Sequence, residues 1–136
     1  MNVLIVDNDL GFQFWLAKSL EPSGDAVIPA ATVSQATRLL RRLKLSLDVL
    51  IVNPEIQGAA EFTSSLRRRH SRVKVVALVG DEEKELALLD LHPDFRRVKP
   101  HLPEMEEPSA ESAAESEWVT FLQDVVGKRT AGGRAN

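Results

Sequence analysis

Asp7, Asn8, Asp9, Asn53 and Lys99 are the residues of this sequence whose types and positions suit chemistry. Each stands at the carboxyl end of a short apolar run. Asp7-Asn8-Asp9 follows Val3-Leu4-Ile5-Val6, Asn53 follows Val49-Leu50-Ile51-Val52, and Lys99 follows Phe95-Arg96-Arg97-Val98, while Val79 and Gly80 close Val75-Val76-Ala77-Leu78-Val79. In an open parallel sheet, ligands bind beyond the carboxyl ends of the strands, so these residues are expected to meet. Carboxylates and water oxygens suit a hard cation such as magnesium. Amides at Asn8 and Asn53 bring no charge, and neither Val79 nor Gly80 has a hydroxyl. Other chemistries have no footing: cysteine is absent, His70, His92 and His101 lack ligand spacing, and there is no glycine-rich phosphate loop or Ser-His-Asp arrangement.

The positioning elements follow from periodicity. The three strongest apolar runs are continuous, β-branched-rich and too short for stable helices, which predicts strands buried on both faces of a parallel sheet. Between them Phe12, Trp15, Leu16, Ser19 and Leu20 share a helical face behind an N-cap at Asp9. Ala36, Leu39, Leu40 and Leu43 do so after Ser34, then Ala59, Phe62 and Leu66, then Leu86 and Leu89 behind Asp81. Two weaker strands are expected at sheet edges: Ala26-Val27-Ile28-Pro29-Ala30, because proline lacks the ladder N–H, and the polar Phe95–Val98. Trp118, Phe121, Leu122, Val125 and Val126 form a last amphipathic helix that stops at Gly127. The alternation predicts a doubly wound α/β domain over residues 1–127, with an acidic loop or linker at 103–117 and a flexible tail at 128–136.

A length of 136 residues allows one core, and 43% apolar with 27% charged residues is an ordinary globular balance. Residues 1–99 carry a net charge of +1 and residues 100–136 a net charge of −4. Near-neutrality in the body predicts no nucleic-acid partner. No run approaches a membrane span and no basic leader precedes Val3, so a cytoplasmic chain without membrane contact is expected. Arg67-Arg68-Arg69 with Arg72 reads as a solvated helix end favoured by the helix dipole. Phe14 lies off the main face of its helix, and Leu88 off the Leu86/Leu89 stripe.

Three motifs together resemble the receiver domain of two-component response regulators over residues 3–126. Leu4-Ile5-Val6-Asp7-Asn8-Asp9 is similar to the acidic motif ending the first strand, Asp48-Val49-Leu50-Ile51-Val52-Asn53 to the phosphoacceptor strand, and Val98-Lys99-Pro100 to the Lys-Pro motif. The resemblance implies a flavodoxin-like five-stranded parallel sheet in the order 2-1-3-4-5, with helices on both faces. It also implies phosphoryl transfer from a histidine kinase to an aspartate, aided by magnesium. The departures point to a degenerate receiver. Asn53 stands at the phosphoacceptor position, Asn8 replaces the second acid, Val79 or Gly80 falls at the switch Ser/Thr, and Arg96 stands at the switch aromatic. The turn after Asn53 is reduced to Ile56-Gln57-Gly58.

An amide is not a competent phosphoryl acceptor, so no catalysis and no cofactor are expected, with magnesium held weakly at best through Asp7. Lys99 is expected to pair with Asp7 or to hydrogen-bond Asn53. The implied function is phosphorylation-independent binding of a signalling partner or a second copy. The resemblance places it on the fourth helix, fifth strand and fifth helix, with Leu88, Arg96, Arg97 and the Trp118 helix. The enzyme alternative is a haloacid-dehalogenase-like phosphatase using Asp7 as nucleophile and Asp9 as acid/base, since Val6-Asp7-Asn8-Asp9-Leu10 fits its Asp-x-Asp motif. That family's Gly-Thr after the motif is missing. A receiver-type site for another anion or small ligand is the remaining alternative. His92-Pro93-Asp94 matches the tripeptide of chaperone J-domains but lacks the basic helix that should precede it.

Overall fold

The computed structural model describes residues 1–80, 85–100 and 108–127. Strands β1 (Asn2–Val6), β2 (Ala26–Ala30), β3 (Val49–Val52), β4 (Lys74–Val79) and β5 (Phe95–Val98) alternate with helices α1 (Leu10–Leu20), α2 (Val33–Leu43), α3 (Ala59–Arg69), α4 (Glu85–Leu91) and α5 (Pro108–Val125). The strands pair in parallel in the order β2-β1-β3-β4-β5, as the sequence implies. β2 and β5 hold the edges. Pro29 is tolerated on β2 because that strand has a sheet partner on one side only.

Side-chain alternation sorts the core into two layers. Val3, Ile5, Val49, Ile51, Val76 and Leu78 pack against α1 and α5. Leu4, Val6, Leu50, Val52, Val75 and Ala77 pack on the other face, under α2, α3 and α4. Every residue of Val3–Val6 and Val49–Val52 is fully buried, which is why these runs read as continuous rather than alternating apolar sequence. α1 starts where Asp9 accepts a hydrogen bond from Phe12 N at 3.1 Å and buries Phe12, Trp15, Leu16, Ser19 and Leu20.

Several sequence expectations are corrected. α2 is capped by Thr32, whose Oγ1 accepts from Gln35 N at 3.1 Å, rather than by Ser34, and Leu43 is exposed at its carboxyl end. On α4 the buried stripe is Leu88 with Leu91, and Leu89 is 56% exposed. Leucines at 86, 88, 89 and 91 offer two stripes of equal spacing, and packing of the short helix over β4 selects one. The acidic segment is not a loop throughout. From Pro108 it is helical, since proline suits the first turn and the Ala and Glu residues that follow are good helix formers. Trp118, Leu122 and Val125 then dock α5 on the sheet, and Gly127 turns the chain out at φ 74°. Asp81, the side chain of Leu86, residues 103–107 and the tail at 128–136 lie outside the described residues.

Arg67 is more than a solvated helix end. Its guanidinium donates to the carbonyls of Leu91 and His92 at the carboxyl end of α4 and lies 3.5 Å from Asp94. Asp94 in turn accepts from Val75 N at 2.8 Å, so His92-Pro93-Asp94 is a turn tied to α3 and β4. His92 takes a left-handed φ of 50° there. Charge-assisted bonds of this kind contribute about 1.5–3 kcal/mol. Urea unfolding of Arg67→Met is therefore expected to show a loss of about 1–2 kcal/mol after allowance for partial exposure, while Arg68→Met changes stability by less than about 0.5 kcal/mol.

Candidate functional site

At the carboxyl edge of the sheet, backbone ladders bring the ends of β1, β2 and β3 into line. Asp7 N donates to Ala30 O at 3.0 Å, and Asn53 N donates to Val6 O at 2.9 Å. Asp7 is thereby held fully buried at the end of β1. A buried carboxylate is tolerated only with partners for its charge and lone pairs. Here both oxygens are engaged: Asn53 Nδ2 donates to Oδ1 at 3.0 Å, and Lys99 Nζ donates to Oδ2 at 3.1 Å.

The orientation of the Asn53 amide is fixed from its other end. Its Oδ1 accepts from Glu55 N at 2.9 Å, closing the turn after β3 and leaving the NH2 group directed at Asp7. Lys99, half-buried just past β5, also lies 3.5 Å from Asp9 Oδ2, while the other oxygen of Asp9 caps α1. Of the two partners expected for Lys99, Asp7 is the one it takes; Asn53 meets the same carboxylate instead.

The remaining sequence candidates are placed less centrally. Asn8 is exposed beside Asp7, Val79 is half-buried at the end of β4, and Gly80 is exposed after it. Arg96 is exposed at mid-strand on β5, opposite Ala77, on the sheet face away from α5. Gln13 is a residue the sequence reading passed over. It is buried on α1 and its Nε2 donates to Asp7 O at 2.9 Å and to Ala30 O at 3.1 Å, tying α1 to the ends of both strands. Its spacing from Leu16 and Leu20 marks it as a polar residue in a buried stripe.

No family model matches the chain, and no curated protein matches it by sequence. Solved structures do. The receiver domain of a sensor histidine kinase from Pseudomonas aeruginosa, described with a magnesium ion in its active-site cleft, is 19% identical with a TM-score of 0.68, covering 93% of this chain and 97% of its own. A response regulator receiver protein from Burkholderia phymatum is 15% identical with a TM-score of 0.65, covering 93% and 94%. The non-phosphorylated HemR receiver domain of Leptospira biflexa is 19% identical with a TM-score of 0.63, covering 92% and 93%. The fold is the receiver fold.

Within that fold, the donor set at this edge does not suit magnesium. Asp7 already accepts two hydrogen bonds on its carboxylate oxygens, and the Lys99 ammonium stands between Asp7 and Asp9, in the position where a cation would relieve their repulsion. Asn8 and Asn53 supply neutral oxygens, and the Asn53 oxygen is committed to Glu55 N. Among the described residues no cluster of three or more His, Cys, Asp or Glu side chains forms a metal site. Removing one partner of Asp7 strands a buried charge. Lys99→Met is expected to lower stability by about 1–3 kcal/mol in chemical denaturation. In an Asp7→Asn background the same substitution costs less than about 0.5 kcal/mol, because the stranded charge is gone.

Proposed function

We propose that this chain is an atypical receiver domain of two-component signalling that works by phosphorylation-independent protein binding and not as an enzyme. The observation that carries the reading is the pairing of Asp7 with Asn53 and Lys99. On this reading Asn53 occupies the phosphoacceptor position, Asp7, Asn8 and Asp9 are the remnant of the acidic pocket, and Val79 or Gly80 stands where the switch hydroxyl belongs. A carboxamide at 53 has no nucleophilic oxygen to accept a phosphoryl group. Lys99, which would contact that group, is instead joined to Asp7.

A phosphatase reading would need Asp7 as nucleophile. Its carboxylate has no exposed surface and both oxygens are engaged, and Asp9 is occupied as a helix cap, so the geometry favours the receiver reading. The partner surface, for a signalling protein or a second copy, is assigned to α4, β5 and α5. Leu89, Phe95 and Val98 are exposed there, with Leu89 in the place expected for Leu88. Arg97 lies 4.6 Å from the Phe121 ring centroid and 5.7 Å from that of Trp118, which holds it against α5 and leaves Arg96 as the more available charge. Among the described residues no helix is long and apolar enough to cross a membrane. A cytoplasmic location belongs to the same proposal.

The test is incubation with magnesium and a small-molecule phosphodonor, followed by intact mass and inorganic phosphate. No added phosphoryl group and no release above background are expected; an adduct lost in Asp7→Asn would overturn the reading. Magnesium is likewise expected to leave the melting temperature unchanged. The double substitution Asn8→Asp with Asn53→Asp places new carboxylates beside Asp7. Its melting temperature is expected to fall without metal and to rise by several degrees with magnesium, as binding to the folded state requires.

A further inference from the structure

The layer opposite α1 and α5 carries a charge pattern that the receiver reading leaves unused. No Asp or Glu occurs between Asp25 and Asp48, nor between Glu61 and Asp81, and these two stretches hold nine of the 17 Lys and Arg residues. The stretches are α2 with its flanks and the part of α3 beyond Glu61 in its first turn, with the residues that follow it, and the two helices are neighbours over the same apolar layer. Arg38, Arg41, Arg42, Arg68, Arg69 and Arg72 are all exposed. Among the described residues none of the six has a carboxylate partner.

The helix dipole accounts for part of this pattern. It favours cations in the last turn, which covers Arg41, Arg42, Arg68 and Arg69. Arg38 stands in the middle of α2 and Arg72 lies beyond α3, so the band continues where the dipole gives no benefit. Like charges gathered without counter-charges repel one another, and that cost is relieved when an anionic surface binds.

The shape of the band narrows the kind of partner. Between α2 and α3 lies a recess of about 150 Å³ whose floor is Leu40, Phe62 and Leu66 and whose rim carries Arg41 and Arg69. A second recess, of about 360 Å³, opens on the β2 side of α2, where Pro29 and Leu39 lie beside Arg38 and Arg42. A nucleic-acid backbone would meet the arginines and leave the apolar floors uncovered, and stacking of bases needs an exposed aromatic face, whereas Phe62 is buried. An amphipathic acidic helix uses both features, with aliphatic side chains on the floor and carboxylates on the guanidinium groups.

We propose that the α2–α3 face is a docking surface for an acidic amphipathic segment of a partner protein, seated over Leu40 and Phe62 between Arg41 and Arg69. This surface is separate from α4, β5 and α5 and does not depend on the state of the Asp7 pocket. The fit follows from charge complementarity joined to a small apolar groove.

Fluorescence anisotropy of the full chain tests it with three labelled probes: a peptide with leucines at i, i+3, i+4 and i+7 and glutamates between them, a shuffled peptide of the same composition, and a single strand of thymidines. The ordered peptide is expected to bind about tenfold more tightly than the shuffled one, and less tightly as salt rises. Arg41→Glu with Arg69→Glu is expected to weaken it at least about tenfold, Arg41→Gln with Arg69→Gln to weaken it less, and Lys18→Glu, exposed on α1 in the opposite layer, to leave it unchanged. Both pairs of substituted side chains are exposed, and circular dichroism checks that the variants remain folded. Equal binding of the two peptides, no binding of the ordered one, or no effect of the reversal would overturn the proposal. So would tighter binding of the oligonucleotide that the same reversal removes, which would make the partner a nucleic acid. Self-association without peptide, abolished by the same reversal, would make the occupant a second copy and also overturn it.

Discussion

Burial of the Asp7 carboxylate is the constraint on which the carboxyl edge of this domain depends. A charged group with no exposed surface needs partners within hydrogen-bonding distance, and here they come from the ends of two other strands. Lys99 is 92 residues away in sequence, so β5 must lie close enough for its lysine to reach past the ends of β4 and β3. Asn53 must stand level with Asp7, which the β1–β3 register and the bond from Asn53 N to Val6 O secure. Gln13 adds the fourth tie, from α1 to the carbonyls at the ends of β1 and β2. One buried charge thus couples the ends of β1, β3 and β5, and Gln13 joins α1 to the ends of β1 and β2 through main-chain carbonyls.

The same constraint explains why an amide suits position 53. Asn53 offers a donor to Asp7 and an acceptor to Glu55 N, and both are used. An aspartate could still accept from Glu55 N, but it would set a second negative charge about 3 Å from the first, which is a repulsion that a bound cation or a proton would have to offset. With asparagine at 8 and 53, the formal charges near Lys99 reduce to Asp7 and Asp9, and one ammonium lies within 3.5 Å of both. Two carboxylates and one ammonium leave a formal charge of −1 at the pocket, with Lys99 offsetting part of the repulsion between Asp7 and Asp9.

Much of the fold was legible because buried parallel strands leave an unambiguous sequence trace. Val3–Val6, Val49–Val52 and Val75–Val79 could satisfy their apolar surface only between two helical layers, and Pro29 marked an edge. Asp7, Asp9, Asn53 and Lys99 were found because strand ends are where a doubly wound sheet gathers side chains. What failed to show was whatever packing decides among local equals. Two leucine stripes on α4 have the same spacing, and only the position of the helix over β4 distinguishes Leu88 from Leu89. Thr32 and Ser34 are both good caps, and the chain direction leaving β2 selects the first. Gln13 was passed over because its partners, two main-chain carbonyls, carry no residue-type signal. Arg67 was misread for the same reason: the carbonyls of Leu91 and His92 are invisible to any pattern of side chains.

Net charge also conceals an uneven distribution along the chain. A total of −3 hides six exposed arginines gathered on α2, on α3 and just beyond α3, whereas glutamates accumulate in residues 103–117. Sequence-wide neutrality in residues 1–99 excluded a polyanion partner only on the assumption that opposite charges mix on the surface. Six exposed arginines on α2, on α3 and just beyond α3 break that assumption, because no acid occurs between Asp25 and Asp48 or between Glu61 and Asp81.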